Sequence, residues 1–473
     1  MRMQTRNVRL AEVLSALTYA LDLTEGQRPG HTLRTALIAM RIGRELGLDG
    51  PTLSALYYAS LLKDSGCSSN ASRMAALFGS DDQRVKRDMR LVDWHDRWRR
   101  AARTARNCGV GRNPVARIRH FLRVAGTPHM TREIIQTRCE RGAQIAASLG
   151  FPKATSEAIA HVDEHWCGLG HPVGLAGDGI PILSRVLLLS QTVEAFFTEH
   201  GIRAAIAMAT TRRGRWFDPA LVDMLAGWRR DRSWWAAVAN LDGLDAEVVA
   251  QEPGSVPEAA TDERLDAIAH AFASVIDAKT PFTYRHSWNV AHYATAIGSA
   301  LGADDRTRRE LLHAGLLHDV GKLGVSNRIL DKPAALSDAE RSEIRKHPLW
   351  TLQILERVPA FRHFADGSAR HHERLDGKGY PWSLGADQLD FTARVLAVSD
   401  VYEALTADRP YRAGMTVART LDIMGRDRGT AFDTTLLDAT GALAEQGVFA
   451  DIAAGAGADG SLHAVRAVRA AAG

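Results

Sequence analysis

The sequence predicts an all-α protein built from two tandem helical domains. Ala, Leu and Arg dominate the 473 residues, and apolar residues recur at three-and-four spacing through most of the length. That period is typical of helices with one buried face, whereas the alternation expected of strands is scarce. The N-terminal half also repeats the C-terminal half at matched offsets, which indicates two copies of one structural unit.

A stretch rich in helix-breaking residues marks the boundary between the two domains. Residues 251–257 read Gln-Glu-Pro-Gly-Ser-Val-Pro, and Ala-rich helix resumes near Asp262. Because two prolines and a glycine interrupt a helical pattern, we expect a first domain over 1–250, a linker over 251–261 and a second domain over 262–445. The Ala- and Gly-rich residues 446–473 are expected to form a flexible tail.

Charge and cysteine usage narrow the class of protein. The 59 Lys and Arg against 55 Asp and Glu leave a net charge of +4, which suits a small anionic ligand and predicts no specific nucleic-acid partner. The four cysteines lack metal-site spacing and are typical of reduced thiols, so we expect a cytoplasmic protein. No apolar run approaches the roughly 18 residues of a bilayer span, and no membrane partner is expected.

The repeat is easiest to follow through its first histidines. His31 and His286 each open a helix, and Lys63-Asp64 and His318-Asp319 each begin 32 residues later. Arg138 and His347 then both precede a glutamate by 26 residues. Equal spacings over this length indicate duplication of a whole domain.

The second copy carries an ordered set of metal-ligand residues: His286, His318, Asp319, His347, His371, His372 and Asp400. Seven nitrogen and oxygen ligands exceed the needs of one tetrahedral zinc, and the absence of Cys argues against a structural zinc site. We expect two divalent metal ions, iron or manganese, with zinc or nickel left open. Asp319 is expected to bridge them, with His286, His318 and Asp400 on one side and the other three histidines opposite.

Such a centre suggests phosphodiester hydrolysis. Two cations a few Å apart hold a hydroxide between them and clamp phosphate oxygens. Asp319 and Lys322 are the predicted catalytic residues, Lys322 serving as a cation for the phosphate or an acid for the leaving oxygen. The alternative for Lys322 is an ordinary surface lysine.

The first copy differs from the second at most of the positions that match the predicted metal ligands. At the matching positions it offers His31, Lys63, Asp64, Arg138, Val162, Asp163 and Gln191. An ammonium roughly 4 Å from a divalent ion would repel it by about 8 kcal/mol at an effective dielectric of about 20. We therefore expect no metal in this degenerate site.

An insertion at about 68–137 makes the first copy about 46 residues longer between Cys67 and Arg138 than the second copy. Arg84 to Arg123 is strongly basic and includes Trp94 and Trp98. It is interpreted as a solvated helical elaboration, with a binding face for an anionic partner as the alternative.

The motifs of the second copy resemble the HD-GYP family of the HD phosphohydrolase superfamily. They are His318-Asp319-Val320-Gly321-Lys322, His347-Pro348, the segment His371–Pro381, and Ser399–Arg412. The resemblance covers about residues 262–445 and implies an HD-type helical domain there, and the internal repeat extends this fold to the first copy. It implies hydrolysis of cyclic di-GMP to pGpG, with further hydrolysis to GMP left open. It also implies substrate contacts from Arg409 and Arg412, and a loop beside the site formed by Gly379, Tyr380 and Pro381.

One departure from the family and three alternatives accompany this interpretation. Some members place a Glu four residues before the first histidine to support a third metal, whereas this chain has Phe282, so a binuclear centre is expected. The alternatives are a phosphohydrolase of another cyclic dinucleotide, one of another nucleotide, and a low-turnover nucleotide sensor or scaffold. A homodimer or a regulatory protein partner is left open.

Overall fold

The computed structural model describes residues 8–254, 259–281, 285–408 and 412–455, without the side chains of 128, 129 and 131. Within these ranges the β pairings are isolated bridges and the regular elements are helices. The α-helices run over α1 (Leu10–Thr24), α2 (His31–Glu45), α3 (Gly50–Leu62), α4 (Ala71–Phe78), α5 (Asp82–Arg90), α6 (Arg97–Asn107), α7 (Pro114–Gly126), α8 (Pro128–Ser148), α9 (Lys153–Ala160), α10 (Ile182–Thr211), α11 (Pro219–Gly227), α12 (Arg232–Ala239), α13 (Leu244–Ala250), α14 (Asp262–Asp277), α15 (His286–Ala300), α16 (Asp305–Leu317), α17 (Asn327–Leu330), α18 (Asp338–Ile344), α19 (His347–Arg357), α20 (Ala365–Ala369), α21 (Phe391–Thr406), α22 (Val417–Gly425), α23 (Thr434–Glu445) and α24 (Val448–Gly455).

The chain forms two compact units. The first contains Met1–Ala267 together with Ser326–Pro333, and the second contains Ile268–Val325 and Ala334–Gly473. In the described part of the chain, no helix is both long and apolar enough to cross a membrane.

Matched caps start the corresponding helices of the two units. Asp49 caps α3 by accepting from the Thr52 amide, and Asp304 caps α16 by accepting from the Thr307 amide. A carboxylate at this position satisfies an amide that the first helical turn leaves without a partner. The same Asp-to-Thr spacing therefore fixes where α3 and α16 begin.

Corresponding helices also build the two cores. In the first unit α2 packs against α3 and α10, and in the second α15 packs against α16 and α21. Val290, Ala294 and Ile297 on α15 are fully buried, because apolar residues at this spacing share one face of the helix. This packing brings the first turn of α15 beside the last turn of α16.

The insertion in the first unit is helical and has a small core of its own. Helices α4 to α7 lie within it, and Leu77, Phe78, Val85 and Cys108 form a buried cluster with Ile134 of α8.

The second unit continues beyond residue 445, where the sequence predicts a flexible tail. Helix α24 (Val448–Gly455) buries Phe449 against Tyr293 and Tyr402. Burying an aromatic side chain stabilises a helix of this length that would be marginal alone. Residues 456–473 of the predicted tail lie outside the described residues.

Candidate metal centre

The structure brings the seven predicted ligands of the second unit together from five segments. His286 begins α15, His318 and Asp319 follow the end of α16, and His347 begins α19. His371 and His372 lie in the turn after α20, and Asp400 lies within α21. Helix ends supply most of these residues, since a side chain there reaches past its own helix into a shared space.

Asp319 lies at the centre of the cluster. Its Oδ2 is 3.4 Å from His286 Nε2 and 3.3 Å from His318 Nε2. Its Oδ1 is 3.3 Å from His347 Nε2 and 3.8 Å from His371 Nε2. Each carboxylate oxygen of Asp319 therefore faces a different pair of imidazoles.

Asp400 lies near His286 and His318 and also near His372. Its Oδ1 is 3.3 Å from His286 Nε2 and 4.0 Å from His318 Nε2, while its Oδ2 is 3.8 Å from His372 Nδ1. The ligand atoms of His286, His318 and Asp400 form one compact group, and those of the three remaining histidines form another, each within 4.8 Å. A third group of the same size, His318, Asp319 and His371, overlaps both.

Local hydrogen bonds decide which nitrogen of each histidine faces the cluster. The Nδ1 atoms of His318, His347 and His371 donate to the carbonyls of Gly315, Ile344 and Ser368 at 2.6–2.7 Å. Donation from Nδ1 leaves the lone pair of Nε2 for a metal ion. Among the described residues, no hydrogen-bond partner serves Nε2 of these three histidines or Oδ1 of Asp319, although all are buried.

These buried atoms fit divalent cations. Buried polar atoms without partners are costly, and neutral imidazoles with carboxylates form a donor set for iron, manganese or zinc. Burial lowers the pKa of His347 to about 3 and that of His372 to about 4, so both are neutral ligands near pH 7. Burial raises the pKa of Asp319, but Lys322 and the adjacent histidines outweigh it and hold the pKa well below its ordinary value.

His286 is oriented by a carboxylate that sequence reasoning missed. Its Nδ1 lies 2.6 Å from Glu403 Oε2. Burial opposes protonation of His286, but Glu403, Asp319 and Asp400 outweigh it and raise the pKa well above its ordinary value. The signal was in the sequence, because Glu403 follows Asp400 by three residues as Glu194 follows Gln191.

Lys322 lies beside the cluster and not on an unrelated surface. It belongs to a 3-10 turn, Val320–Gly324, and its Nζ donates to Asp319 Oδ2. Gly321 in the same turn touches α19, because a Cβ there would lie 1.9 Å from the His347 carbonyl oxygen. This contact sets His347 next to Asp319.

The loop Gly377–Pro381 is fixed close to His372. Glu373 accepts from the amides of Trp382 and Leu384 at 2.8 and 2.9 Å, and a Cβ on Gly379 would lie 2.4 Å from the Glu373 Cα. Tyr380 stacks on His372 with a centroid separation of 4.7 Å. The guanidinium of Arg345, which sequence reasoning did not select, lies 4.9 Å from the Tyr380 centroid.

The remaining predicted residues lie apart or outside the described ranges. Arg412 donates to the carbonyls of Ala404 and Leu405 at 2.7 and 3.2 Å, and so it is held at the end of α21. Arg409 and Phe282 lie outside the described residues.

In the first unit, positively charged side chains occupy the space beside the residues that match the candidate ligands. Lys63 Nζ is 3.3 Å from His31 Nε2 and also pairs with Asp64, while Arg138 pairs with Asp163. Val162 and Gln191 are buried, and neither supplies a charge.

The insertion adds two more positively charged side chains, Lys86 and Arg90, which the sequence did not identify as part of this site. Arg90 of α5 lies 2.5 Å from His31 Nε2, 2.8 Å from Glu25 and 3.4 Å from Asp64, and Lys86 lies 3.2 Å from Glu25. Glu25, Asp64 and Cys67 have ligand atoms within 4.8 Å of one another. Lys86 and Arg90 nevertheless neutralise the carboxylates, and burial raises the pKa of the Cys67 thiol well above its ordinary value.

The supporting contacts survive in the first unit, although only two of its seven matching positions, His31 and Asp64, keep the residue type of the second unit. His31 Nδ1 pairs with Glu194 as His286 does with Glu403. Glu164 accepts from the amides of Val173 and Leu175 as Glu373 does in its loop. The two sites thus share one framework, and five of the seven matching positions carry different side chains.

Comparison with known proteins agrees with this framework. A family model described as HD domain matches residues 72–221 and 270–436. The 3'3'-cGAMP-specific phosphodiesterase 3 of Vibrio cholerae serotype O1 is 39% identical over 430 residues, covering 90% of this chain and 92% of that relative. The chain belongs to the HD-GYP family of HD-domain proteins. The predicted family is thereby confirmed.

Other relatives of this HD-GYP protein are also phosphodiesterases. The cyclic di-GMP phosphodiesterase PA4108 of Pseudomonas aeruginosa is 39% identical over 165 residues, which cover 34% of this chain and 39% of that one. The crystal structure of a cyclic GMP-AMP specific phosphodiesterase of V. cholerae, V-cGAP3, matches with a TM-score of 0.64 and 34% identity, covering 93% of this chain and 98% of that chain. The predicted all-α, HD-type fold is confirmed.

Proposed function

We propose that this protein is a metal-dependent phosphodiesterase that hydrolyses a cyclic dinucleotide in its second unit. The observation that carries the proposal is the position of Asp319, whose two oxygens face separate pairs of histidine Nε2 atoms. The phosphodiesterase relatives support the same reaction class.

We assign the ligands to two divalent cations as the geometry groups them. His286, His318 and Asp400 would hold one cation, His347, His371 and His372 the other, and Asp319 would contact both. Bound cations of this kind supply electrophilic activation of water and neutralise phosphate charge. The degenerate first site, filled by Lys63, Lys86 and Arg90, is proposed to hold no metal.

The chain's own side chains then orient substrate and move protons. Lys322 keeps an ammonium beside Asp319, where it can bind a phosphate oxygen or protonate the leaving oxygen. Arg345 stacks on Tyr380 at the rim of the cluster, and a guanidinium in that position suits a second phosphate.

Two cyclic dinucleotides are candidate substrates. The motif resemblance favours cyclic di-GMP, as does the relative from P. aeruginosa, which is matched over 34% of this chain. The relative matched over 90% of the chain is 3'3'-cGAMP-specific, and this match includes the degenerate first unit. We therefore place 3'3'-cGAMP first and cyclic di-GMP second, with linear dinucleotide as the product and mononucleotides as the further products.

Product analysis tests the proposal. Protein purified anaerobically and loaded with Fe²⁺ or Mn²⁺ is incubated with each cyclic dinucleotide, and the products are resolved by chromatography. We expect a linear product from at least one substrate, and about a thousandfold loss of rate in a His318→Ala/Asp319→Ala variant because metal ligands are removed. The control variant His363→Ala should retain the wild-type rate.

Two results would count against the proposal. Equal turnover by the His318→Ala/Asp319→Ala variant would remove this site from the reaction. Tight binding of both nucleotides without any product would favour the sensor alternative.

A further inference from the structure

Helix α7 presents aliphatic side chains to solvent. Val115, Ile118 and Leu122 are 69%, 60% and 61% exposed, and their spacing places them along one side of the helix. The helix is anchored by a different side, where Phe121 and Val124 pack against the buried cluster of the insertion. The aliphatic row is therefore not needed to hold α7 in place.

This row lies in the most basic part of the chain. Residues 97–126 contain nine arginines and neither Asp nor Glu. Arg119 and Arg123 of α7 are exposed and follow Ile118 and Leu122 directly. Among the described residues, neither of these two arginines has an acidic partner within ion-pair distance, so their charge is available to a ligand.

The combination of aliphatic and cationic side chains restricts the kind of partner. A nucleic-acid backbone would satisfy the arginines but would leave the three aliphatic side chains without an apolar contact. A bilayer with anionic headgroups offers acyl chains and phosphates within one helix diameter of each other. Trp98 of α6 is 87% exposed, and tryptophan is favoured at the level of the headgroups.

We propose that α7 is a peripheral docking surface for an anionic lipid bilayer, with Val115, Ile118 and Leu122 inserted among the acyl chains and Arg119 and Arg123 on the phosphates. A helix of 13 residues is too short to span a bilayer, so α7 lies along the interface. We thus expect reversible binding to a membrane surface, where the sequence alone led us to expect no membrane partner.

Sedimentation with vesicles tests this proposal. The full-length protein is mixed with phosphatidylcholine vesicles that contain either no phosphatidylglycerol or about 30% of it, at low salt, where surface charge acts over tens of Å. We expect binding to the anionic vesicles alone. Both Ile118→Ser/Leu122→Ser and Arg119→Glu/Arg123→Glu should lower the partition coefficient by about tenfold or more, because they remove the apolar and ionic contacts separately.

Matched variants away from α7 provide the controls. Leu169→Ser/Leu241→Ser changes two leucines that are 67% and 55% exposed, and Arg229→Glu/Arg230→Glu reverses two exposed arginines. Both should bind as the wild type does, and all four variants should keep the wild-type circular dichroism spectrum because the substituted side chains are exposed.

Three outcomes would overturn the proposal. The protein could stay in the supernatant with both kinds of vesicle, which would leave the surface to an acidic protein or a nucleic acid. It could bind vesicles without phosphatidylglycerol equally well. It could also bind anionic vesicles with the same affinity after the α7 substitutions.

Discussion

Glu403 shows how one residue outside the metal ligands shapes the candidate site. It faces Nδ1 of His286 at 2.6 Å, while Nε2 of the same ring faces Asp319 and Asp400. A carboxylate behind a histidine ligand fixes its orientation and raises its basicity. The first unit offers an internal comparison, because Glu194 makes the same contact with His31 where no metal is proposed.

We predict that Glu403→Gln lowers metal affinity by about ten- to a hundredfold, the range typical of losing such a supporting carboxylate. The metal content after dialysis against a buffered metal series measures this effect. Glu194→Gln is the matched control and should leave the metal content unchanged. Equal losses in the two variants would indicate a general effect on folding instead.

Arg345 is the second residue whose role can be separated from folding. Arg345 precedes His347 by two positions in the chain. Its guanidinium is exposed and stacks on the ring of Tyr380. We predict that Arg345→Ala raises KM by about tenfold and leaves kcat within about twofold, because a ground-state phosphate contact is removed. Arg341→Ala, an exposed arginine one turn earlier, is the control. An unchanged KM for Arg345→Ala would exclude the phosphate contact.

At the scale of elements, the 3-10 turn Val320–Gly324 packs closely against α19 because residue 321 is a glycine and has no side chain. The Cβ of any other residue at Gly321 would lie 1.9 Å from the His347 carbonyl oxygen. The first unit repeats this approach, since a Cβ on Gly66 would lie 2.0 Å from the Arg138 carbonyl oxygen. Close backbone packing between the turn and the helix is thus a property of the fold and does not depend on the metal ligands.

We predict that Gly321→Ala lowers the free energy of unfolding by about 1–3 kcal/mol, because the turn or α19 must shift to accept the methyl group. The same shift moves His347 and should reduce the metal content. Gly425→Ala is the control, since nothing lies within 4 Å of its Cβ position. Chemical denaturation of both variants measures the difference, and equal stabilities would contradict the role of this contact.

Helix α5 supplies two positively charged side chains to the first site. Lys86 and Arg90 extend from this helix toward Glu25 and Asp64. The position of Lys63 alone predicted repulsion of a metal, but the repeat could not reveal α5, because the insertion has no counterpart in the second copy. The carboxylates of the first unit therefore pair with side chains that the alignment of the two copies leaves out.

For the whole molecule, the sequence predicted the fold class correctly from its helical periodicity and its internal repeat, and it predicted the family correctly from the resemblance of the motifs in the second copy. The sequence also identified the seven candidate ligands that the structure brings together. The repeat did carry a signal for Glu403, because Glu194 lies at the matching position of the first copy. The contact of Arg345 with Tyr380 had no such signal, because the two residues are far apart in sequence and no periodic pattern joins them.

One segment within the predicted second domain, 262–445, belongs to the first unit of the structure. Ser326–Pro333 belongs to the first unit, where the Asn327 amide donates to Asp82 at 2.8 Å. This segment follows the turn that carries Lys322. The excised range 262–445 would therefore lack the packing of residues 326–333, and the full chain is the form in which the site should be measured.

The central claim is that two divalent cations bind beside Asp319 and none binds between His31 and Asp64. An anomalous-difference map from crystals of the full-length protein grown with Mn²⁺ tests it most directly. We predict two peaks, one within about 2.5 Å of each Asp319 oxygen, and none in the first unit. A peak between His31 and Asp64, or the absence of peaks beside Asp319, would contradict the claim.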